Sequence, residues 1–165
     1  RIVVDAMIAW SKGVQVSVRS PNATRPWQHV LEPISGYLTL GERLHSNKKL
    51  SGEGFNFGPR AEQNNSVKQL IKDLGKYWQA NGMSAEYEVT ENVYFDEAKL
   101  LKLNCDKALF YLNWQSTLEY SQTVKLTSQW YYRYYNDYQG ILKYTSEQID
   151  EYMSYAMNRK LPWTK

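Results

Sequence analysis

The sequence predicts an α/β fold, and three observations predict it. Residues alternate between apolar and polar, with the two-residue period of a half-buried strand, at Val14-Gln15-Val16-Ser17-Val18-Arg19 and again at Ala85-Glu86-Tyr87-Glu88-Val89. Other segments carry the 3.6-residue period of an amphipathic helix, most clearly Val67, Leu70, Ile71, Leu74 and Trp78. The two kinds of segment alternate along the chain, as they do where helices cover a sheet. With 42% hydrophobic and 22% charged residues over 165 positions, the composition is that of a folded domain, and residues 1–165 are expected to form one region.

The elements follow in order. Residues 2–11 carry an apolar stripe (Ile2, Val3, Met7, Ile8, Trp10) and predict a helix closed at Gly13. Val14 to Arg19 is a strand, and Ser20-Pro21-Asn22-Ala23 is turn chemistry. Trp27 to Leu31 reads as a short extended piece. Pro33 suits the first position of a helix, where its missing N–H would have had no partner. That helix puts Ile34, Tyr37, Leu38, Gly41 and Leu44 on one face, and the interior Gly36 and Gly41 predict close packing against a neighbour. His45 to Glu53 is a polar loop, and Phe55-Asn56-Phe57 a short buried strand stopped by Gly58-Pro59. Ser66 with Gln69 forms a capping box for the helix from Val67 to Trp78, and Gly82 ends the turn after it. Leu100 to Leu103 is an extended run. Asp106 is expected to cap a helix reaching Leu112, and Asn113 to take the left-handed position that ends it. Thr117 to Tyr135 and Glu147 to Asn158 are the last two helices. The Tyr/Trp cluster at 130–138 has the spacing of aromatics packed on a core with hydroxyls in water, which is preferred to a base-stacking platform.

Composition narrows the function. The net charge of +3 is small and the cations are scattered, so no stripe for nucleic acid is visible, while an anionic ligand is compatible. A single cysteine, Cys105, rules out an internal disulfide and fits a reducing compartment such as the cytoplasm. No apolar run approaches the length of a membrane span. His29, His45 and Cys105 lack metal-ligand spacing. Two glycosylation sequons, at Asn22 and Asn64, are read as chance matches.

One segment carries chemistry. Arg25-Pro26-Trp27-Gln28-His29-Val30 places a guanidinium, an indole, an amide and an imidazole together just before a helix. A guanidinium fork can grip a diphosphate by two parallel hydrogen bonds, an indole can wall a pocket, and a helix N-terminus favours anions. The plain alternative is a strand with Trp27 inside and Arg25 and His29 facing water. On pattern alone the two readings weigh about equally.

The run Ser20-Pro21-Asn22-Ala23-Thr24-Arg25-Pro26-Trp27-Gln28-His29-Val30-Leu31-Glu32-Pro33 resembles the CDP-glucose 4,6-dehydratase family, a branch of the extended short-chain dehydrogenase/reductase superfamily. Gly54-Phe55-Asn56-Phe57-Gly58-Pro59, Leu103-Asn104-Cys105-Asp106-Lys107-Ala108, Leu112-Asn113-Trp114 and Gln129-Trp130-Tyr131 followed by Tyr134 resemble later segments of that family, in family order. Asn113 stands where the family usually has Gly. The resemblance implies a substrate-binding C-terminal half that completes a Rossmann-type sheet. The chain contains neither a Gly-x-Gly-x-x-Gly loop nor a Tyr-x-x-x-Lys pair, so the NAD-binding half and the acid/base groups are expected to lie outside it.

The implied reaction takes CDP-glucose to CDP-4-keto-6-deoxyglucose. Tightly bound NAD takes a hydride from C4 and returns it at C6 after water is lost. No catalytic residue is assigned in this chain. The implied substrate contacts are Arg25 on the diphosphate, Arg1 near phosphate and Arg19 beside the base, where a solvated strand end serves equally well. Trp27 walls the pocket. His29 either touches the nucleotide sugar or orients Arg25 and Glu32; a catalytic base there is disfavoured, because the reacting carbons are expected toward the absent half. Glu32 either steadies Arg25 as an ion-pair partner or favours the helix start through the dipole. Asn56 is explained by backbone pairing alone. The expected assembly is a homodimer acting on a nucleotide sugar, with no nucleic-acid or membrane partner. Alternatives are a GDP-mannose or dTDP-glucose 4,6-dehydratase, a nucleotide-sugar epimerase, or a non-catalytic binding module.

Overall fold

Helix α1 (Ile2–Ser11) ends where the sequence predicts, because Gly13 turns to φ +69° and the N–H groups of Lys12 and Gly13 close on Ala9 and Trp10. It leads into β1 (Val16–Val18), which buries Val16 and Val18 and exposes Ser17. In the computed structural model, which describes residues 1–90 and 100–164, eight named helices and strands follow from the predicted pattern. After β1 come α2 (Leu31–Ser46), α3 (Val67–Ala80), β2 (Tyr87–Val89), α4 (Asp106–Leu112), α5 (Tyr120–Asn136) and α6 (Ile141–Asn158). Strands β1 and β2 pair in parallel, with Val16 opposite Tyr87 and Val18 opposite Val89, so the chain between them must cross over, as parallel pairing requires.

The chain divides into two compact units. The first comprises Arg1–Arg25, Asn64–Leu101 and Val124–Thr145. Its core is the apolar face of α3 against α1: Leu70, Ile71, Leu74 and Trp78 are buried with Ala6, Met7 and Trp10. The Trp10 and Trp78 rings lie 5.9 Å apart, Tyr132 meets Trp78 edge-on at 5.5 Å, and Trp10 Nε1 donates to the Glu86 carbonyl at 2.9 Å. Ser66 Oγ caps α3 by accepting the Gln69 N–H at 3.2 Å. Half of the predicted capping box is absent, because the Gln69 side chain donates forward to Asp73 instead.

The second unit comprises Pro26–Gln63, Lys102–Thr123 and Ser146–Lys165. Here Leu50, Phe57, Ala108, Leu112 and Trp114 form a core with Leu40, Leu44 and Phe55 at its edge. Gly36 fits its prediction: a Cβ there would lie 2.3 Å from the Phe57 ring. Asn113 takes φ +55° and ends α4, as its side chain permits.

Several boundaries differ from expectation for identifiable reasons. Pro33 is the third residue of α2, not the first, because the turn at Val30 is already helical and the Ile34 N–H reaches the Val30 carbonyl. Residues 27–29 and 55–57 are irregular, since among the described residues no neighbouring strand supplies a ladder to either segment. Asn56 accordingly has no strand pairing; its side-chain amide donates to the Asn104 carbonyl at 3.2 Å. Asp106 is the first residue of α4 rather than its cap, and its N–H is taken by Asn104 Oδ1 at 2.9 Å. Helix α5 begins at Tyr120, and α6 reaches back to Ile141. No described helix is long and apolar enough to cross a membrane.

Candidate functional site

Arg25 lies at the end of the Ser20–Arg25 loop. The loop is held by backbone: the Val67 and Lys68 N–H groups donate to the Ala23 and Pro21 carbonyls at 2.9 Å, and Thr24 bridges to both Ser66 and Leu100. Arg25 is half-buried and its guanidinium donates from Nη1 to the Thr24 carbonyl at 2.8 Å. Arg1 is a different case. Its side chain is 92% exposed and lies 3.5 Å from Asp5, a surface pair that contributes little. Arg19 is exposed at the end of β1.

Trp27, His29 and Glu32 stand in the second unit. Trp27 is half-buried. The neighbouring Gln28 amide donates to the Phe57 carbonyl at 3.0 Å. His29 is buried, and its Nδ1 accepts the Leu31 N–H at 3.3 Å, which places its proton on Nε2. Burial pushes its pKa down from 6.5 to about 4, so the imidazole is neutral at pH 7 and brings no charge to a phosphate. The Glu32 N–H donates to the His29 carbonyl at 3.0 Å, so the two share one turn.

Glu32 is 1% exposed and organises a polar centre that the sequence reading did not foresee. Its carboxylate accepts the Thr117 N–H at 2.9 Å and the Leu118 N–H at 2.6 Å. Tyr152 Oη donates to it at 3.1 Å. Ser35 Oγ lies 3.0 Å from Tyr152 Oη and accepts the Trp114 indole N–H at 3.0 Å, and Thr117 Oγ1 donates to Tyr152 at 2.9 Å. Burial raises the Glu32 pKa against the opposing backbone N–H bonds, and burial beside that carboxylate raises Tyr152. Arg159 donates to the Thr117 carbonyl and lies 3.5 Å from Glu119. The polar spacing Glu32, Ser35, Thr39 was the available signal: these positions share one helical face, and all three are buried.

The second unit also holds an open cleft of about 640 Å³, lined in part by Arg60, Lys102, Cys105, Asp106, Trp114 and Ser116. Its cations are engaged: Arg60 pairs with Glu119 at 3.2 Å and Lys102 donates to the Ala61 carbonyl at 3.2 Å. Burial raises the Cys105 thiol, which keeps it protonated and unreactive. Among the described residues no group of acidic, histidine and cysteine side chains is arranged to hold a metal.

No family model matches the chain. It is 32% identical to the CDP-glucose 4,6-dehydratase of Salmonella typhimurium over 154 residues, which cover 93% of this chain and 42% of that protein. Two solved structures share its fold. The UDP-glucuronic acid 4-epimerase of Bacillus cereus, in complex with UDP-glucuronic acid and NAD, aligns at TM-score 0.64 with 17% identity, over 81% of this chain and 40% of the epimerase. The UDP-glucose 4-epimerase of Stenotrophomonas maltophila, with bound NAD and formylated UDP-arabinopyranose, gives 0.64 with 15% identity, over 80% and 39%. The chain is thus similar in sequence to part of a CDP-glucose 4,6-dehydratase and similar in fold to part of the nucleotide-sugar 4-epimerases. It spans less than half the length of the dehydratase it matches. The expected fold class, the α/β C-terminal part of an extended short-chain dehydrogenase/reductase, is borne out, and the observed sheet is a small parallel one. Strand β1 runs into Ser20-Pro21-Asn22 and not into a glycine-rich loop opening a helix.

Proposed function

We propose that this chain is the nucleotide-sugar-binding part of a CDP-glucose 4,6-dehydratase, a lyase that forms CDP-4-keto-6-deoxyglucose. The observation that carries the reading is the Arg25-Pro26-Trp27-Gln28-His29-Val30 run, within a chain 32% identical to that dehydratase along 93% of its length. Arg25 grips the diphosphate. Arg19 and Arg1 approach the base and phosphate ends, and Trp27 walls the pocket. Glu32 acts from behind, by fixing α2 to the backbone of Thr117 and Leu118. His29, neutral and buried, acts as packing and as a turn acceptor rather than as a proton carrier.

Binding energy from the non-reacting nucleotide end positions the sugar for chemistry performed elsewhere. The sequence carries neither a Gly-x-Gly-x-x-Gly loop nor a Tyr-x-x-x-Lys pair, so this reading assigns NAD and the acid/base groups to polypeptide outside this chain and expects the isolated chain to be inactive. The enzyme works as a cytoplasmic homodimer. An epimerase is the second reading, favoured by the two epimerases that share the fold; identities of 15% and 17% give it less weight than the dehydratase match.

Calorimetric titration of the full-length protein with CDP, GDP and dTDP tests the reading. Tightest binding of CDP is expected. A preference for GDP or dTDP would remove the CDP assignment.

A further inference from the structure

Tyr152 Oη sits among more oxygens than its neighbours have hydrogens for. It lies 3.1 Å from Glu32 Oε2, 3.0 Å from Ser35 Oγ and 2.9 Å from Thr117 Oγ1. Ser35 Oγ in turn lies 2.8 Å from the Glu32 main-chain carbonyl. These are four oxygen–oxygen contacts at hydrogen-bond length, and each needs one hydrogen between its partners. The hydroxyls of Tyr152, Ser35 and Thr117 supply three. The Trp114 indole N–H is already directed at Ser35 Oγ, and the Thr117 and Leu118 N–H groups at the Glu32 carboxyl. With Glu32 ionised, one pair of buried oxygens therefore meets lone pair to lone pair, wherever the three hydrogens are placed.

Charge points the same way. Glu32 is buried, and among the described residues no Lys, Arg or His pairs with it. Arg60, whose charge favours the ionised form, pairs with Glu119 at 3.2 Å. Arg159, on α6, lies 3.5 Å from the same Glu119 and donates to the Thr117 carbonyl. His29, in the same turn as Glu32, is neutral. A buried charge without a partner is costly. The two backbone N–H bonds do not offset that cost by themselves, because a neutral carboxyl keeps both: Oε1 lies 3.0 Å from the Thr117 nitrogen and 2.6 Å from that of Leu118.

We infer that Glu32 supplies the fourth hydrogen: in the folded protein at neutral pH it is an uncharged carboxylic acid whose Oε2–H donates to Tyr152 Oη. The direction of the Glu32–Tyr152 bond is then the reverse of that in the ionised form. Tyr152 donates to Ser35 Oγ, Ser35 to the Glu32 main-chain carbonyl and Thr117 Oγ1 to Tyr152, so every contact is filled. These bonds latch α6 and the 114–118 segment onto the first turns of α2. The latch weakens with rising pH, because loss of the proton to solvent removes one bond and leaves a buried charge with no partner.

Glu32→Gln tests this in the full-length protein, since glutamine keeps an oxygen for the two backbone N–H groups and brings a permanent N–H donor for Tyr152. In infrared difference spectra at neutral pH, the wild type is expected to show a protonated-carboxyl stretch that Glu32→Gln lacks. Loss of a carboxylate band instead would overturn the inference. In urea unfolding across pH, the folding equilibrium constant of the wild type relative to Glu32→Gln is expected to fall about tenfold per pH unit from the carboxyl's ordinary 4.5 up to neutrality. The folded state holds a proton there that the unfolded chain has released. A ratio that stays level over that range would show that Glu32 folds as a carboxylate. Glu32→Gln that fails to fold, or that loses as much stability as Glu32→Ala, would also overturn the inference, because the amide provides the same hydrogens as the neutral acid. No nucleotide is present in either measurement, so failure here is separate from failure of the CDP reading.

Discussion

At the residue scale, one short segment holds groups with opposite physical characters. Arg25 carries a permanent positive charge, while His29 four positions later has been made neutral by burial. The Arg25→Ala variant is expected to lose roughly 1.5–3 kcal/mol of nucleotide binding, the range for hydrogen bonds to charged groups, as read by calorimetry. His29 gives a pH prediction. Its folded pKa, about 4, lies below its ordinary 6.5, so the unfolded chain binds the extra proton more readily in that window. Its contribution to stability is complete above pH 6.5 and falls as pH drops toward 4, by at most about 1.4 kcal/mol per pH unit. Glu32 runs the other way, because a carboxyl raised by burial favours folding at low pH and loses that contribution as pH rises through its folded value. Comparing urea unfolding of the wild type with His29→Asn, which keeps an acceptor for the Leu31 N–H, isolates the histidine: the wild type should lose more stability than the variant between pH 6.5 and 4. Equal losses would show that His29 titrates normally.

At the element scale, the Glu32 centre ties α2, the 114–118 segment and α6 together in the second unit. Removing its carboxylate leaves the Thr117 and Leu118 N–H groups buried without an acceptor. Glu32→Ala is therefore expected to cost about 3 kcal/mol in chemical denaturation, at the usual penalty for unsatisfied buried donors; a loss below 1 kcal/mol on the same scale would mean that water replaces the carboxylate. Gly36→Ala should also destabilise, since its methyl group would enter the Phe57 ring unless α2 shifts. Local signals made much of this legible. The 3.6 period of Val67 to Trp78, the Ser66 cap, and the left-handed Asn113 and Gly13 all act within a few residues of themselves. The Glu32 centre was not legible, because its partners lie 85 to 120 positions away and two of them are backbone N–H groups, which every residue carries. The 55–57 strand failed for the complementary reason: an apolar run cannot report whether a partner strand exists.

At the scale of the whole molecule, the class of fold was readable from the order of the motifs along the chain, and the similarity to a CDP-glucose 4,6-dehydratase runs over 93% of this chain's length. On the predicted apolar face of α2, Leu44 packs on the core and Tyr37 meets the Phe57 ring at 5.6 Å, while Ile34 and Leu38 are exposed. Sequence periodicity identifies which side of a helix is apolar but not whether the chain itself covers it. The most direct measurement of the central claim, that this chain grips a cytidine diphosphate through Arg25, is calorimetry of the full-length protein and its Arg25→Ala variant against CDP, GDP and dTDP. CDP is expected to bind tightest, and the variant to lose affinity for all three, since the diphosphate is common to them. Equal affinity of variant and parent, or a parent that prefers GDP or dTDP, would contradict that claim.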